Sequence, residues 1–277
     1  MLDAIPFEYV SPQAPLIAVE GRLGPKDKRS RIVVDTGATA PFAVFLSPEK
    51  ARALGLSLSE EITPGATTAI GGGPQTYRTG TLPSVAIGPV RLAQTPVAVV
   101  PMIDEMSRQA GQPIGGIIGY QFLRNQRVSI DYGKRRIDLA APTIGAGGTP
   151  FALAARKPII LVETMVNGTG PFVFEIDTGA TITSLSPETA QKAHVAATGE
   201  GTLGGAGGSV AVKRGDAQIK VGDIAFDLRN VTVTDSLAGI SQAAGSPVDG
   251  ILGLDYFYRT KLTIDYPAST VWIVKAD

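Results

Sequence analysis

Apolar positions along this chain come in short runs and alternations that match strands. Residues 16–19 and 159–162 are apolar runs bounded by proline and turn formers, and each leads to a hairpin tip, at 24–29 and 167–171. Beyond the second tip, Phe172, Phe174 and Ile176 alternate on one face of a strand with Glu175 on the other. Residues 85–88, 219–222, 128–131 and 262–265 read as further strands that end in turns. Helix signals are clear in two places only. Ser47-Pro48-Glu49 and Ser186-Pro187-Glu188 each offer a serine N-cap, a proline suited to the first helical position and an acid at the positive end of the dipole. The pattern predicts a mostly β chain with one short helix in each half. It holds no run of ~18 apolar residues that could span a membrane.

The two halves repeat each other. Asp35-Thr36-Gly37-Ala38-Thr39 recurs as Asp177-Thr178-Gly179-Ala180-Thr181. Ser47-Pro48-Glu49 matches Ser186-Pro187-Glu188, Gly116-Ile117-Ile118-Gly119 matches Gly250-Ile251-Leu252-Gly253, and Ile130-Asp131-Tyr132 matches Ile264-Asp265-Tyr266, all in the same order. The offset is 142 at the first aspartate and 134 at the later glycine, so the first copy is eight residues longer. A unit of this size is a lobe and not a solenoid repeat. The expected division is a first lobe over 1–140, a Gly/Pro-rich linker over 141–150 and a second lobe over 151–277.

Composition narrows the chemistry. Of 277 residues 44% are apolar and 18% charged, enough to fill a core, and 25 Lys plus Arg balance 25 Asp plus Glu. A net charge of zero argues against a nucleic-acid binder. With no cysteine and one histidine, His194, there are no disulfides, thiol nucleophiles or Cys/His metal sites. His194 falls at the end of the second short helix without a counterpart in the first lobe, as a capping or solvent-facing residue would. The basic tip Lys26, Lys28 and Arg29, with Asp27 interspersed, reads as a solvated hairpin end. Asp131 and Asp265 precede turns and read as structural. No metal or cofactor is expected, and low charge with no cysteine gives an extracytoplasmic location as the expectation.

One Asp-Thr-Gly is ordinarily a strand end with an Asx turn. Two copies at equivalent places, in lobes packed about a pseudo-dyad, would bring Asp35 and Asp177 face to face. Adjacent carboxylates cannot both ionise cheaply and would share one proton. The ionised member can take a proton from water while the protonated member donates to a carbonyl oxygen, which is acid–base hydrolysis without a covalent intermediate. Gly37 and Gly179 would allow close backbone approach.

At these residues the chain resembles the aspartic peptidases, the retroviral-type and pepsin-like group, and the resemblance covers nearly its whole length. It implies a bilobal fold of closed-barrel lobes, Asp35 and Asp177 as the catalytic dyad, and Ala38 and Ala180 completing the loops. Thr36 and Thr178 would hydrogen-bond across the lobes, and residues 117–119 and 251–253 would pass beneath the loops. The family's flap has two candidates, Ile70-Gly71-Gly72 and Leu203-Gly204-Gly205, with Ile70, Leu203, Ile118 and Leu252 as candidate subsite walls, although Ile118 and Leu252 also suit plain core packing. Two departures stand out: alanine follows Asp-Thr-Gly in both loops, and only Tyr77 lies near the first flap. Without a hydroxyl at Ala38 and Ala180, the pH optimum is expected nearer neutrality than pepsin's.

The resulting expectation is a single-chain aspartic endopeptidase, monomeric, acting on extended peptides. One alternative is a peptide- or partner-binding module on a peptidase fold without turnover. Another is a serine hydrolase built on His194.

Overall fold

The structure is a computed structural model that describes residues 4–63, 76–142, 144–145, 147–205 and 208–276. The first half contains β1 (Ile5–Tyr9), β2 (Ile17–Leu23), β3 (Ser30–Val34), β4 (Val44–Leu46), α1 (Pro48–Leu54), β5 (Arg78–Ile87), β6 (Val90–Val99), α2 (Met102–Ala110), β7 (Gly116–Ile118), α3 (Tyr120–Leu123), β8 (Arg127–Asp131) and β9 (Arg136–Asp138). The second contains β10 (Thr149–Pro150), β11 (Ala152–Leu153), β12 (Ile160–Val166), β13 (Thr169–Ile176), β14 (Ser184–Leu185), α4 (Pro187–Lys192), β15 (Ala197–Gly205), β16 (Gly208–Val221), β17 (Ile224–Val233), α5 (Ser236–Ala244), β18 (Gly250–Leu252), α6 (Leu254–Phe257), β19 (Thr260–Asp265) and β20 (Thr270–Lys275).

Each half closes a six-stranded ring. In the first the order is β2-β3-β7-β4-β6-β5, with β5 returning to β2, and in the second it is β12-β13-β18-β14-β17-β16, with β16 returning to β12. The two orders are the same once the duplicated strands are matched. Closure leaves few free edges, and inward-facing side chains such as Ile32, Val34, Phe174 and Ile176 are fully buried.

Outside the rings, β10-β20-β19-β8-β9-β1 form one antiparallel run that joins the lobes. Its central pairing defines the symmetry. Thr263 lies opposite Ser129, its own copy 134 residues earlier, and Leu262 and Ile264 lie opposite Ile130 and Val128. A residue pairs with its own duplicate only where a twofold axis passes between the strands. The Ser129 and Thr263 hydroxyls meet there at 2.9 Å.

The helices depart from the expectation of one per lobe, because the described residues contain three in each. Only α1 and α4 carry a side-chain N-cap, from Ser47 and Ser186. Helices α2 and α5 start at Pro101 and Asp235 without a side-chain cap and close on the left-handed glycines Gly111 and Gly245, and α3 and α6 are single turns of four residues. Helices α2 and α5 pack on outer layers of apolar side chains, Ile103 meeting Val33 and Ile117, and Leu237 and Ile240 meeting Leu161 and Ile251.

The first hairpin tip also differs from its expectation. Lys26, Lys28 and Arg29 are exposed, but Asp27 is buried. It accepts from the Leu23 N–H at 2.7 Å, the Ser30 hydroxyl at 2.7 Å and the Lys50 ammonium at 3.0 Å, tying the β2–β3 turn to α1. Burial works to raise its pKa, but these donors prevail and hold the carboxyl below its ordinary range. His194 is exposed, with φ of 52° just past α4, where Gly55 follows α1 with φ of 67°. Asp131 accepts the Lys134 N–H, and Asp265 accepts the Ala268 N–H and pairs with Arg127 at 2.5 Å. No helix among the described residues is long and apolar enough to cross a membrane.

Candidate active site

Strands β3 and β13 are central in their rings, and each ends directly before an aspartate. The chain then turns sharply, because the carboxylate captures its own loop: Asp35 Oδ1 accepts the N–H groups of Gly37 at 2.8 Å and Ala38 at 3.1 Å, and Asp177 Oδ1 that of Gly179 at 2.7 Å. Below each loop runs β7 or β18. The Asp35 N–H donates to the Ile118 carbonyl at 3.0 Å and the Asp177 N–H to that of Leu252 at 3.2 Å. The Ala38 and Ala180 carbonyls accept the N–H groups of Tyr120 and Leu254 at 3.0 and 2.9 Å, which starts α3 and α6 beneath the loops. Gly119 must be glycine, since a Cβ there would collide with the Ala38 carbonyl.

The loops meet on the same axis that passes between Ser129 and Thr263. Thr36 accepts the Thr178 N–H on its hydroxyl at 3.0 Å and donates to the Ile176 carbonyl at 2.8 Å. Thr178 does the reverse, accepting the Thr36 N–H at 3.1 Å and donating to the Val34 carbonyl at 2.9 Å. Both side chains are buried, so the four bonds are shielded from water. They bring the carboxylates together. An added Cβ at Gly37 would lie 2.8 Å from Asp177 Oδ1, and one at Gly179 would lie 2.5 Å from Asp35 Cγ. Each glycine is therefore the space that the opposite acid occupies.

Asp35 and Asp177 are hydrogen-bonded to each other and only half-buried, so some surface still meets solvent although protein surrounds them on most sides. Desolvation, then the charge of Asp177 and the hydrogen bond with it, push Asp35 well above the ordinary carboxylate range against the Gly37 and Ala38 N–H groups. Asp177 is also raised by desolvation, but it is held back by the N–H groups of Gly179, Gly37 and Ala180 and by the hydrogen bond from Asp35. Two carboxyls this close cannot both ionise cheaply, so the pair titrates as a unit and shares one proton.

A family model described as aspartyl protease matches residues 19–122 and again 162–256, one match in each lobe. The chain belongs to the aspartyl protease family. No curated protein matches it. The double match agrees with the duplicated two-lobe arrangement, and each aspartate and the glycine-ended strand beneath it fall inside one matched segment.

Among the remaining sequence candidates, Leu203, Gly204 and Gly205 lie near the tip of the hairpin formed by β15 and β16, with Leu203 paired to Val210 and Gly205 to Gly208. Leu203 is half-buried, and Gly204 and Gly205 are exposed. Ile70, Gly71 and Gly72 lie outside the described residues; the chain on either side pairs at Ile62 and Tyr77. Ile118 and Leu252 are fully buried core residues and line no subsite, because β7 and β18 sit inside the rings.

Sequence reasoning passed over one acid. Glu175 lies opposite Phe174 and Ile176 as the alternation requires, but that face is covered by α5, and the residue is only 3% exposed. The signal was present: two residues before Asp35 the first lobe has Val33.

Proposed function

We propose that this aspartyl protease is an endopeptidase that hydrolyses peptide bonds by water held between Asp35 and Asp177. The observation that carries the reading is the pair of half-buried carboxyls, one from each lobe, brought face to face by the Thr36 and Thr178 hydrogen bonds. Ionised Asp177 takes a proton from the water as its oxygen attacks the carbonyl carbon, while Asp35 gives its proton to the carbonyl oxygen. Collapse of the tetrahedral diol breaks the C–N bond, the proton on Asp177 passes to the leaving nitrogen, and Asp35 recovers one from the diol. The four bonds of Thr36 and Thr178 hold both acids in register, so little reorganisation is needed at the moment of reaction.

The substrate is an extended peptide lying between the lobes, pairing its backbone with hairpins such as β15–β16, whose tip leaves glycine backbone exposed. One chain supplies both halves of the site, so a monomer suffices. A broad peptide library digested across pH, with and without a statine-type inhibitor, tests the activity. D35N and D177N should each abolish cleavage while the fold persists, and cleavage by both at the parent rate would overturn the reading. If the parent binds peptides stoichiometrically and releases no fragments, the protein is a binding module. If H194A abolishes cleavage, the histidine hydrolase is the right alternative.

A further inference from the structure

The exposed cations of the first hairpin tip do not stand alone. Lys28 and Arg29 share a concavity of about 430 Å³ with Arg22 of β2 and Arg91 of β6, and its floor is small, at Ala86 and Gly88. Strand register builds it. Arg22 lies opposite Ala86, and Ala86 lies opposite Arg91, so the three form one row on the outer face of the barrel. Two strand spacings set the arginine backbones roughly 10 Å apart, with only a methyl group between them. Arg91 is braced over the β5–β6 turn, donating to the Gly88 and Val90 carbonyls. The single acid in the concavity is Glu20, which pairs with Arg29. Arg22 and Lys28 have no ion pair or hydrogen bond among the described residues.

The fold does not require this charge. In the second lobe the duplicate row, in the same register, is Met165, Lys220 and Ala225. At its tip Gly170 and Pro171 stand for Lys28 and Arg29. All four cations thus have uncharged counterparts, and the one lysine of the second row occupies the floor. The chain carries no net charge, so four cations against one acid are a local concentration. They gather away from the dyad. Ser30, next to Arg29, begins β3, and Asp35 lies five residues on, roughly 16 Å along an extended strand.

We propose that this groove is a docking site outside the cleft for an extended acidic segment of the protein substrate. The substrate role rests on the reading of Asp35 and Asp177 as the reacting pair; the docking does not. Arginine forks bind carboxylates through two parallel hydrogen bonds, and here two of them flank an open floor. Acidic side chains on alternate residues of an extended peptide share one face at roughly 6.6 Å spacing, which suits a row of that width. A lipid surface would call for apolar side chains to insert beside the charge, and no exposed large apolar residue lines the groove. The distance to Asp35 places the acidic run at least about five residues from the bond that is cut.

The test uses the full chain as wild type, R22M, R91A and the double variant. These copy the residues of the second lobe at the same places, which guards against a variant that fails to fold. The probe is a fluorescein-labelled peptide with a run of glutamates, set against the same peptide with glutamines. Fluorescence anisotropy should show binding of the glutamate peptide alone, weakening as salt is added. Each single variant should weaken it roughly two- to fivefold and the double variant on the order of tenfold. A second arm compares cleavage of one peptide with and without the acidic run beyond a spacer. The run should lower KM and leave kcat unchanged, and the double variant should lose that gain while cleaving the plain peptide at the parent rate. If nothing is cleaved, the peptidase reading and the substrate role fall, while anisotropy still decides the docking. Equal binding of the two peptides, or a double variant that binds like wild type, overturns the proposal. So does binding to phosphatidylserine vesicles without binding to the glutamate peptide, which would mark a membrane face.

Discussion

Removing one threonine hydroxyl from the inter-lobe lock tests how the site is held together. T36V keeps shape and volume but deletes an acceptor for the Thr178 N–H and a donor to the Ile176 carbonyl. Both orphaned groups lie where water does not reach, since Thr36 and Thr178 are 2% and 4% exposed. Leaving a buried backbone group unpaired costs about 1–3 kcal/mol, so the pair should cost about 2–6 kcal/mol. For a chain of this length that is a fall in melting temperature of roughly 4–10 °C. Thr178 makes the mirror pair of bonds with a disjoint set of partners, so T178V should cost a similar amount. Any excess or deficit in the double variant then measures coupling through the loops themselves. T36S restores both bonds and should recover most of the loss. Thermal unfolding reports the stability, and single-turnover cleavage reports the alignment of the acids. If T36V unfolds within ~0.5 kcal/mol of the parent, the bonds are geometric coincidences and the reasoning fails.

Further perturbations separate the layers of the structure. G179A places a Cβ against the Asp35 carboxyl and should lower kcat on the order of 100-fold through misplacement of the acid, with a much smaller effect on melting. Parent-like kinetics would show that the glycine is not the space the acid needs. D27N should cost about 2–4 kcal/mol by stranding Lys50 and its turn. Asp27 is held below its ordinary pKa, so its contribution is present above the unfolded value and lost as pH falls through the folded one. The D27N penalty measured by chemical denaturation should therefore shrink in acid, and a constant penalty would contradict the assignment. Asp35 has the opposite sign. Raised above its ordinary 3.8, it makes the fold most stable below that value and less stable as pH climbs toward the folded pKa. D35N should flatten that decline by up to about 1.4 kcal/mol per pH unit, and an unchanged slope would place the proton elsewhere.

What could be read from the residues, and what could not, divides by the range of the interaction. The Asp-Thr-Gly loops, the later glycines and the Ser-Pro-Glu helix starts are written in adjacent residues, and duplication doubled each signal. Helices α2 and α5 start without a side-chain cap, and what marks them locally is weaker: a closing glycine, Gly111 or Gly245, and in α2 the first-turn acids Asp104 and Glu105. The burial of Asp27 depends on Lys50, 23 residues away, so a charge-rich tip looked solvated. Alternation placed Glu175 away from the barrel core correctly but could not show that α5 covers its other face.

Duplication within one chain also separates what must match from what is free to differ. Residues on the pseudo-axis meet their own copies, Thr36 with Thr178 and Ser129 with Thr263, so a change in one copy is felt directly by the other. Away from the axis the copies have diverged. Arg127 pairs with Asp265, whereas the symmetry-related Lys261 and Asp131 form no ion pair, and Asp131 instead lies 3.8 Å from Lys134. Val33 and Glu175 are a buried pair of this kind, each two residues before its aspartate. A homodimer would have to place the same residue at both positions, and two buried acids would double the desolvation penalty. A fused pair can place the acid once and keep the matching place in the other lobe apolar.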